Sequence, residues 1–208
     1  MNKPKIKYTE ICELENIDDF SNKEINNNSN KTLTFKDIEI SECIFHNINF
    51  HNINFERVDI IDCIFDNCDL SNKNFDFRIL NRIKFNNCKL LGTSFIDSSL
   101  SNIEINSSSF KYSNFSGSKI SSLNIIDSDL SETSFVECDF KKINLNNNDF
   151  TNSEFINTSL KGIDFSNSKI FGISFDKESI KGMIIDQNDA KELVKVLGVE
   201  IKWIKMLK

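Results

Sequence analysis

Hydrophobic residues recur along this chain with a period that belongs to neither helix nor ordinary strand. Every fifth residue from Phe35 to Ile185 is Phe, Leu or Ile: 31 positions, of which 16 are Phe, 7 Leu and 8 Ile. A helix repeats at about 3.6 residues and a strand at about 2, so neither produces this series. Two residues before each of these centres, 17 of the 31 positions are apolar and 10 are Ser or Thr, leaving Lys73, Arg78, Asn148 and Glu178 as the bulky polar exceptions. That position must also face a confined interior. The residue just before the centre is apolar only at Ile44, Ile64, Ile79 and Ile184, so it faces water.

A second period fixes the architecture. Taken at steps of twenty, one series of centres reads Phe35, Phe55, Phe75, Phe95, Phe115, Phe135, Phe155 and Phe175 without exception. Twenty residues therefore make one coil of four sides, stacked on the coil below. At a parallel-strand spacing of about 4.8 Å, roughly eight coils form a rod about 37 Å long. The repeats occupy 35–185. Residues 1–34 keep the register only at Phe20 and Ile25, and are expected to cap the first coil from Ile11 to Ile25. Beyond Ile185 the spacing Ala190, Leu193, Val194, Leu197 predicts a short amphipathic helix, with Asp186 as N-cap and Gly198 past its end. The segment 186–208 either closes the last coil or also forms a dimer contact through Ala190, Leu193, Val194, Leu197 and Trp203.

Composition narrows the chemistry. With 6 Gly and 1 Pro in 208 residues, the bends must use other turn residues. The 19 Phe against 1 Trp and 2 Tyr suit core filling. Five of the 6 cysteines (Cys43, Cys63, Cys68, Cys88, Cys138) fall in the inward small-residue position, where stacked thiols are expected to stay free. The first ten residues lack an apolar signal region and no apolar run approaches a membrane span, so a cytoplasmic protein without membrane contact is expected. His46 and His51 follow successive centres and point from different sides, which precludes a shared metal, and two His with no clustered acid make a poor catalytic set. No phosphate loop, nucleophile elbow or zinc motif is present, and the expectation is no enzyme, no cofactor and no metal.

Net charge is -6, which disfavours direct binding of nucleic acid. The all-Phe side carries Asp37, Glu56, Asp76, Asp97, Glu137, Glu154 and Asp176 against Lys36, Arg57, Lys73 and Lys177. On the same side Ile96, Val136 and Ile156 occupy outward positions, an apolar strip beside acids that suits a protein partner. The stretch SNKNFDFRILNRIKF breaks the grammar, with Lys73 and Arg78 in small-residue positions and Phe77 facing outward. It is expected to bulge, or to offer Arg78, Arg82 and Lys84 to a partner.

Units such as CIFHN, INFHN, CDLSN, SNFSG, CDFKK and IDFSN resemble the pentapeptide repeat family. The resemblance implies an all-β fold, a right-handed quadrilateral parallel β-helix, here with a short C-terminal α-helix. The C-terminal run NTSLKGIDFS, followed by Gly182, Gln187, Ala190, Leu197 and Gly198, is similar to the Qnr-type members from Gram-positive bacteria. That similarity implies a homodimer joined through its C-terminal region, which acts on DNA gyrase or topoisomerase IV by resembling duplex DNA and is implicated in quinolone resistance. Duplex DNA carries one charge per about 1.7 Å, far denser than this chain's net charge spread along the rod. A general interaction scaffold with another partner is the second reading.

Overall fold

The computed structural model describes residues 1–7, 9–14, 20–29, 31–196 and 198–200. Its strands are β1 (Glu10–Cys12), β2 (Lys23–Ile25), β3 (Leu33–Lys36), β4 (Glu39–Ser41), β5 (Ile44–His46), β6 (Ile53–Glu56), β7 (Asp59–Ile61) and β8 (Ile64–Asp66). Four longer strands follow, β9 (Ile79–Asn86), β10 (Ser99–Asn106), β11 (Lys119–Ile126) and β12 (Asp139–Asn146), then β13 (Glu154–Phe155) and β14 (Ser174–Phe175). A helix, α1 (Asp189–Val196), closes the order. Every strand pair is parallel, and from β2 onward the partner lies twenty residues away, as in Ile44↔Ile64, Phe65↔Phe85 and Leu100↔Ile120. The chain is a parallel β-solenoid of about eight turns.

The five-residue unit explains this geometry locally. The centre points inward, as does the residue two before it, and the residue two after it turns the corner. That corner residue has positive φ, between 47° and 63° for residues as different as Asn67, Arg57, Phe77 and Tyr112. Left-handed backbone costs roughly 1–2 kcal/mol in residues with a side chain, least in Asn and Asp. Asn and Asp accordingly take many of these corners, which is how the chain bends with so few glycines.

The phenylalanine column forms as the period predicts. Ring centroids lie 5.5 Å apart for Phe35–Phe55, 5.1 Å for Phe55–Phe75 and 5.5 Å for Phe75–Phe95. The contacts Phe95–Phe115, Phe115–Phe135 and Phe135–Phe155 are 4.7, 5.1 and 5.2 Å, with planes within 9° of parallel. Phe175 is only half-buried at the end of the stack. Upstream, Phe20 packs on Phe35 at 4.3 Å, and Ile25 pairs with Phe45 in the same twenty-residue register. β1 and β2 instead pair Glu10 with Lys23, thirteen residues on. Inside the rod, two apolar voids among the described residues, one lined by Phe85, Phe95 and Phe110 and one by Phe135, Phe140 and Phe150, have volumes of only about 10 Å³ each.

The small-residue column does more than fill space. Its hydroxyl and thiol groups reach one coil down to the carbonyl of the residue 23 positions earlier: Thr93 to Leu70, Ser113 to Leu90, Thr133 to Phe110 and Cys138 to Phe115. The same oxygens accept amides from the coil below, as Ser118 Oγ does from Ser98 N at 3.0 Å and Thr158 Oγ1 from Cys138 N at 2.9 Å. Asn148, a bulky exception in sequence, fits because its Nδ2 donates to the Ile125 carbonyl and its Oδ1 accepts the Ser128 amide. Among the described residues no buried side-chain polar atom lacks a partner.

The expected bulge is absent. Residues 71–80 follow the same backbone pattern as 91–100, and the bridge Asn74↔Ser94 holds the twenty-residue register. Lys73 and Arg78 are accommodated by their length. The Lys73 ammonium leaves the interior to bond the His51 and Ile53 carbonyls, and Arg78 Nε reaches the Asp76 carbonyl.

Candidate partner-binding walls

The all-Phe wall is built from β3, β6, β13 and β14, joined by the bridges Asn74↔Ser94, Ser94↔Asn114, Asn114↔Ser134 and Ser134↔Glu154. Its seven acids do not act alike. Asp37 is clamped by the Arg57 guanidinium, whose hydrogen bond holds that carboxyl below its usual range, and Glu56 meets Lys36 at 3.3 Å. Asp76 accepts the Ser94 hydroxyl and the Ile96 amide. Asp176 closes a turn: it accepts the Ser179 hydroxyl, which lowers its pKa most, and the amides of Asn157, Ser179 and Glu178. Four of the seven are thus engaged within the fold.

Asp97, Glu137 and Glu154 are exposed, and among the described residues no lysine or arginine pairs with them. Among the described residues the Glu154 carboxylate meets the Ser134 hydroxyl, at 3.4 Å. Beside them Ile96, Val136 and Ile156 share one column of the wall. They are half-buried rather than prominent, and their backbone carbonyls accept the Phe77, Gly117 and Glu137 amides. The sites that remain for a partner are three carboxylates and three aliphatics, concentrated between residues 96 and 156.

The basic cluster is brought together only in pairs with acids. Arg82 forms two hydrogen bonds to Asp62 at 2.6 Å, Lys84 meets Glu104 at 2.8 Å, and Arg78 lies 4.0 Å from Asp59. These cations serve the stacked coils. His46 sits between acids that the sequence reading did not foresee, 3.4 Å from Asp66 and 3.7 Å from Glu24, one on the coil above and one below. Among the described residues no group of three or more His, Cys, Asp or Glu is arranged to hold a metal ion. Cys43, Cys63, Cys68, Cys88 and Cys138 are buried free thiols, and burial pushes the Cys138 thiol up to about 12. No helix among the described residues is long and apolar enough to cross a membrane.

At the C-terminal end, Asp186 Oδ1 accepts the amides of Asn188 and Asp189 as the expected cap, and Gly198 has φ of 78°. Ala190, Leu193 and Val194 are half-buried, with Leu193 packed on the core, as are Met183 and Ile185. Leu197 and Trp203 lie outside the described residues. Phe77, read as outward-facing, is exposed at a corner; sequence reasoning passed over the exposed aromatics Tyr112, at a corner, and Phe171, one residue after its centre, although their positions relative to the centres could have flagged them.

Comparison with known proteins gives two family matches. One, described as a pentapeptide repeat region, covers residues 58–135, and the other, pentapeptide repeats in 8 copies, covers 35–72 and 128–167. No curated protein matches the sequence. Among solved structures, full-length QnrB1, a plasmid-mediated fluoroquinolone resistance protein, is 19% identical, with 91% of this chain and 95% of that chain covered and a TM-score of 0.43. A pentapeptide repeat protein of the Arabidopsis thaliana thylakoid lumen is 24% identical over 48% of this chain and 66% of its own, with a TM-score of 0.38. HetL from the cyanobacterium Nostoc, involved in heterocyst differentiation regulation, is 13% identical over 81% of this chain and 89% of its own, with a TM-score of 0.31.

Proposed function

The chain belongs to the pentapeptide repeat family, and from that premise we propose that it is a non-enzymatic, DNA-mimicking rod that binds a type II topoisomerase and modulates or protects against quinolones. The observation that carries this is the group Asp97, Glu137 and Glu154, exposed and without cation partners among the described residues, alongside the half-buried Ile96, Val136 and Ile156. Carboxylates held by a rigid wall steer a basic surface, and the aliphatics add contact area once it arrives. The similarity of Gly182, Gln187, Ala190, Leu197 and Gly198 to Qnr-type members directs the choice of DNA gyrase or topoisomerase IV. In this proposal the protein works in the cytoplasm as a homodimer through the C-terminal region.

A second reading is a general interaction scaffold with an unrelated partner. It is favoured by the engagement of Asp37, Glu56, Asp76 and Asp176 within the fold, which leaves the wall less charged than duplex DNA. A supercoiling assay with purified gyrase, and a decatenation assay with topoisomerase IV, each with and without a fluoroquinolone, separate the two. Protection of either enzyme supports the topoisomerase proposal, and its loss on combining Asp97→Asn, Glu137→Lys and Glu154→Lys assigns it to this wall. No effect on either enzyme leaves the scaffold.

A further inference from the structure

Residues 1–7 run along the outside of the solenoid, over the corner column Asp62, Arg82 and Asn102 of the wall carried by β7 to β10. The Lys5 amide donates to Asp62 Oδ1 at 2.8 Å and the Asn2 amide to Asn102 Oδ1 at 2.9 Å. Asp62 and Asn102 stand two coils apart in one column, about 10 Å at the strand spacing. Three residues of extended chain span about 10 Å. The segment therefore lies straight across the strands, along the column that also holds Arg82. Pro4 and Ile6 are half-buried while Lys3, Lys5 and Lys7 are exposed, the alternation of an extended chain with one face down.

The wall beneath departs from the repeat grammar at the same place. Around Asp62 the outward positions hold Ile44, Ile61 and Ile64, all half-buried, where most coils place polar residues. Asp62 itself is buried and fixed by two hydrogen bonds from Arg82, so a charged acceptor is held ready for a backbone amide. Asn102 provides a second acceptor at the right distance. Both contacts go to main-chain amides and so read an extended backbone, while the side-chain preference comes from the half-buried face of Pro4 and Ile6.

We propose that this wall, from Ile44 to Asn102, is a docking surface for an extended partner segment that alternates lysine with apolar residues, and that residues 2–7 occupy it in cis as a removable strap. The apolar side chains of the bound segment face Ile61 and Ile64, its amides meet Asp62 and Asn102, and its lysines remain in water. This surface is separate from the acidic all-Phe wall, so its test is independent of topoisomerase binding.

A fluorescein-labelled peptide of residues 1–10 is titrated by fluorescence anisotropy against the full chain and against full-length Ile6→Asp, which loosens the strap. The variant should bind the peptide at least tenfold tighter than the unsubstituted chain. Adding Ile64→Lys should reverse that gain with the circular dichroism spectrum unchanged. Independently of any effect on folding, an unlabelled peptide bearing Ile6→Asp should compete at least tenfold less well than the parent peptide. Equal affinity of both chains, no binding by either, or equal competition by both peptides would overturn the proposal.

Discussion

Thr158 tests the idea that the small-residue column holds the coils together by hydrogen bonding and not by size alone. It is fully buried; its hydroxyl donates to the Phe135 carbonyl and accepts the Cys138 amide at 2.9 Å. Thr158→Val keeps the shape and removes the hydroxyl, leaving one buried donor and one buried acceptor alone. Each such loss costs about 1–3 kcal/mol, so the expected destabilisation is about 2–6 kcal/mol. Thr158→Ser keeps the hydroxyl and removes a methyl, for about 1 kcal/mol. Urea unfolding followed by circular dichroism should rank the chains wild type, Ser, Val in falling stability. Because solenoid stability sums over neighbouring coils, the Cys138 amide should also exchange faster in the valine variant. A valine variant as stable as the serine variant would refute the hydrogen-bonding account and leave packing as the only role.

Two further outcomes follow from the corners and turns. Gly117 and Gly162 both have positive φ, but a methyl group at Gly117 would run into Asp97 Oδ1 while Gly162 has open space around it. Gly162→Ala should cost about 1–2 kcal/mol from backbone alone and Gly117→Ala more, with the excess recovered by Asp97→Ala in thermal melts. Asp176 has a folded pKa below its ordinary 3.8, chiefly through the Ser179 hydroxyl, so its contribution is fully present above about that value and is lost as pH falls through the lower folded value. Unfolding of wild type and Asp176→Asn should therefore differ most near neutral pH and converge in acid; a constant difference across that range would show that the carboxylate charge is immaterial.

The period of five, read from Phe35 to Ile185, was enough to establish the solenoid, the number of its coils, the inward columns and the stacking of phenylalanines. It could do so because each coil's neighbours are always twenty residues away, so a one-dimensional pattern encodes the three-dimensional contacts. Position in the unit also placed the five cysteines inside the wall. What sequence could not decide were events between side chains on adjacent coils. Asp37 meets Arg57 whereas Asp97 faces Gly117, a difference of direction and reach that left one acid paired and the other open. Lys73 and Arg78 looked like a broken register, yet their long stems carried the charge out of a backbone that never bulged. Least legible was the course of residues 1–7, whose bonds to Asp62 and Asn102 join positions 57 and 100 residues apart. No repeat encodes such contacts; they exist only once the coils have stacked into a wall that presents its acceptors at the spacing of an extended chain.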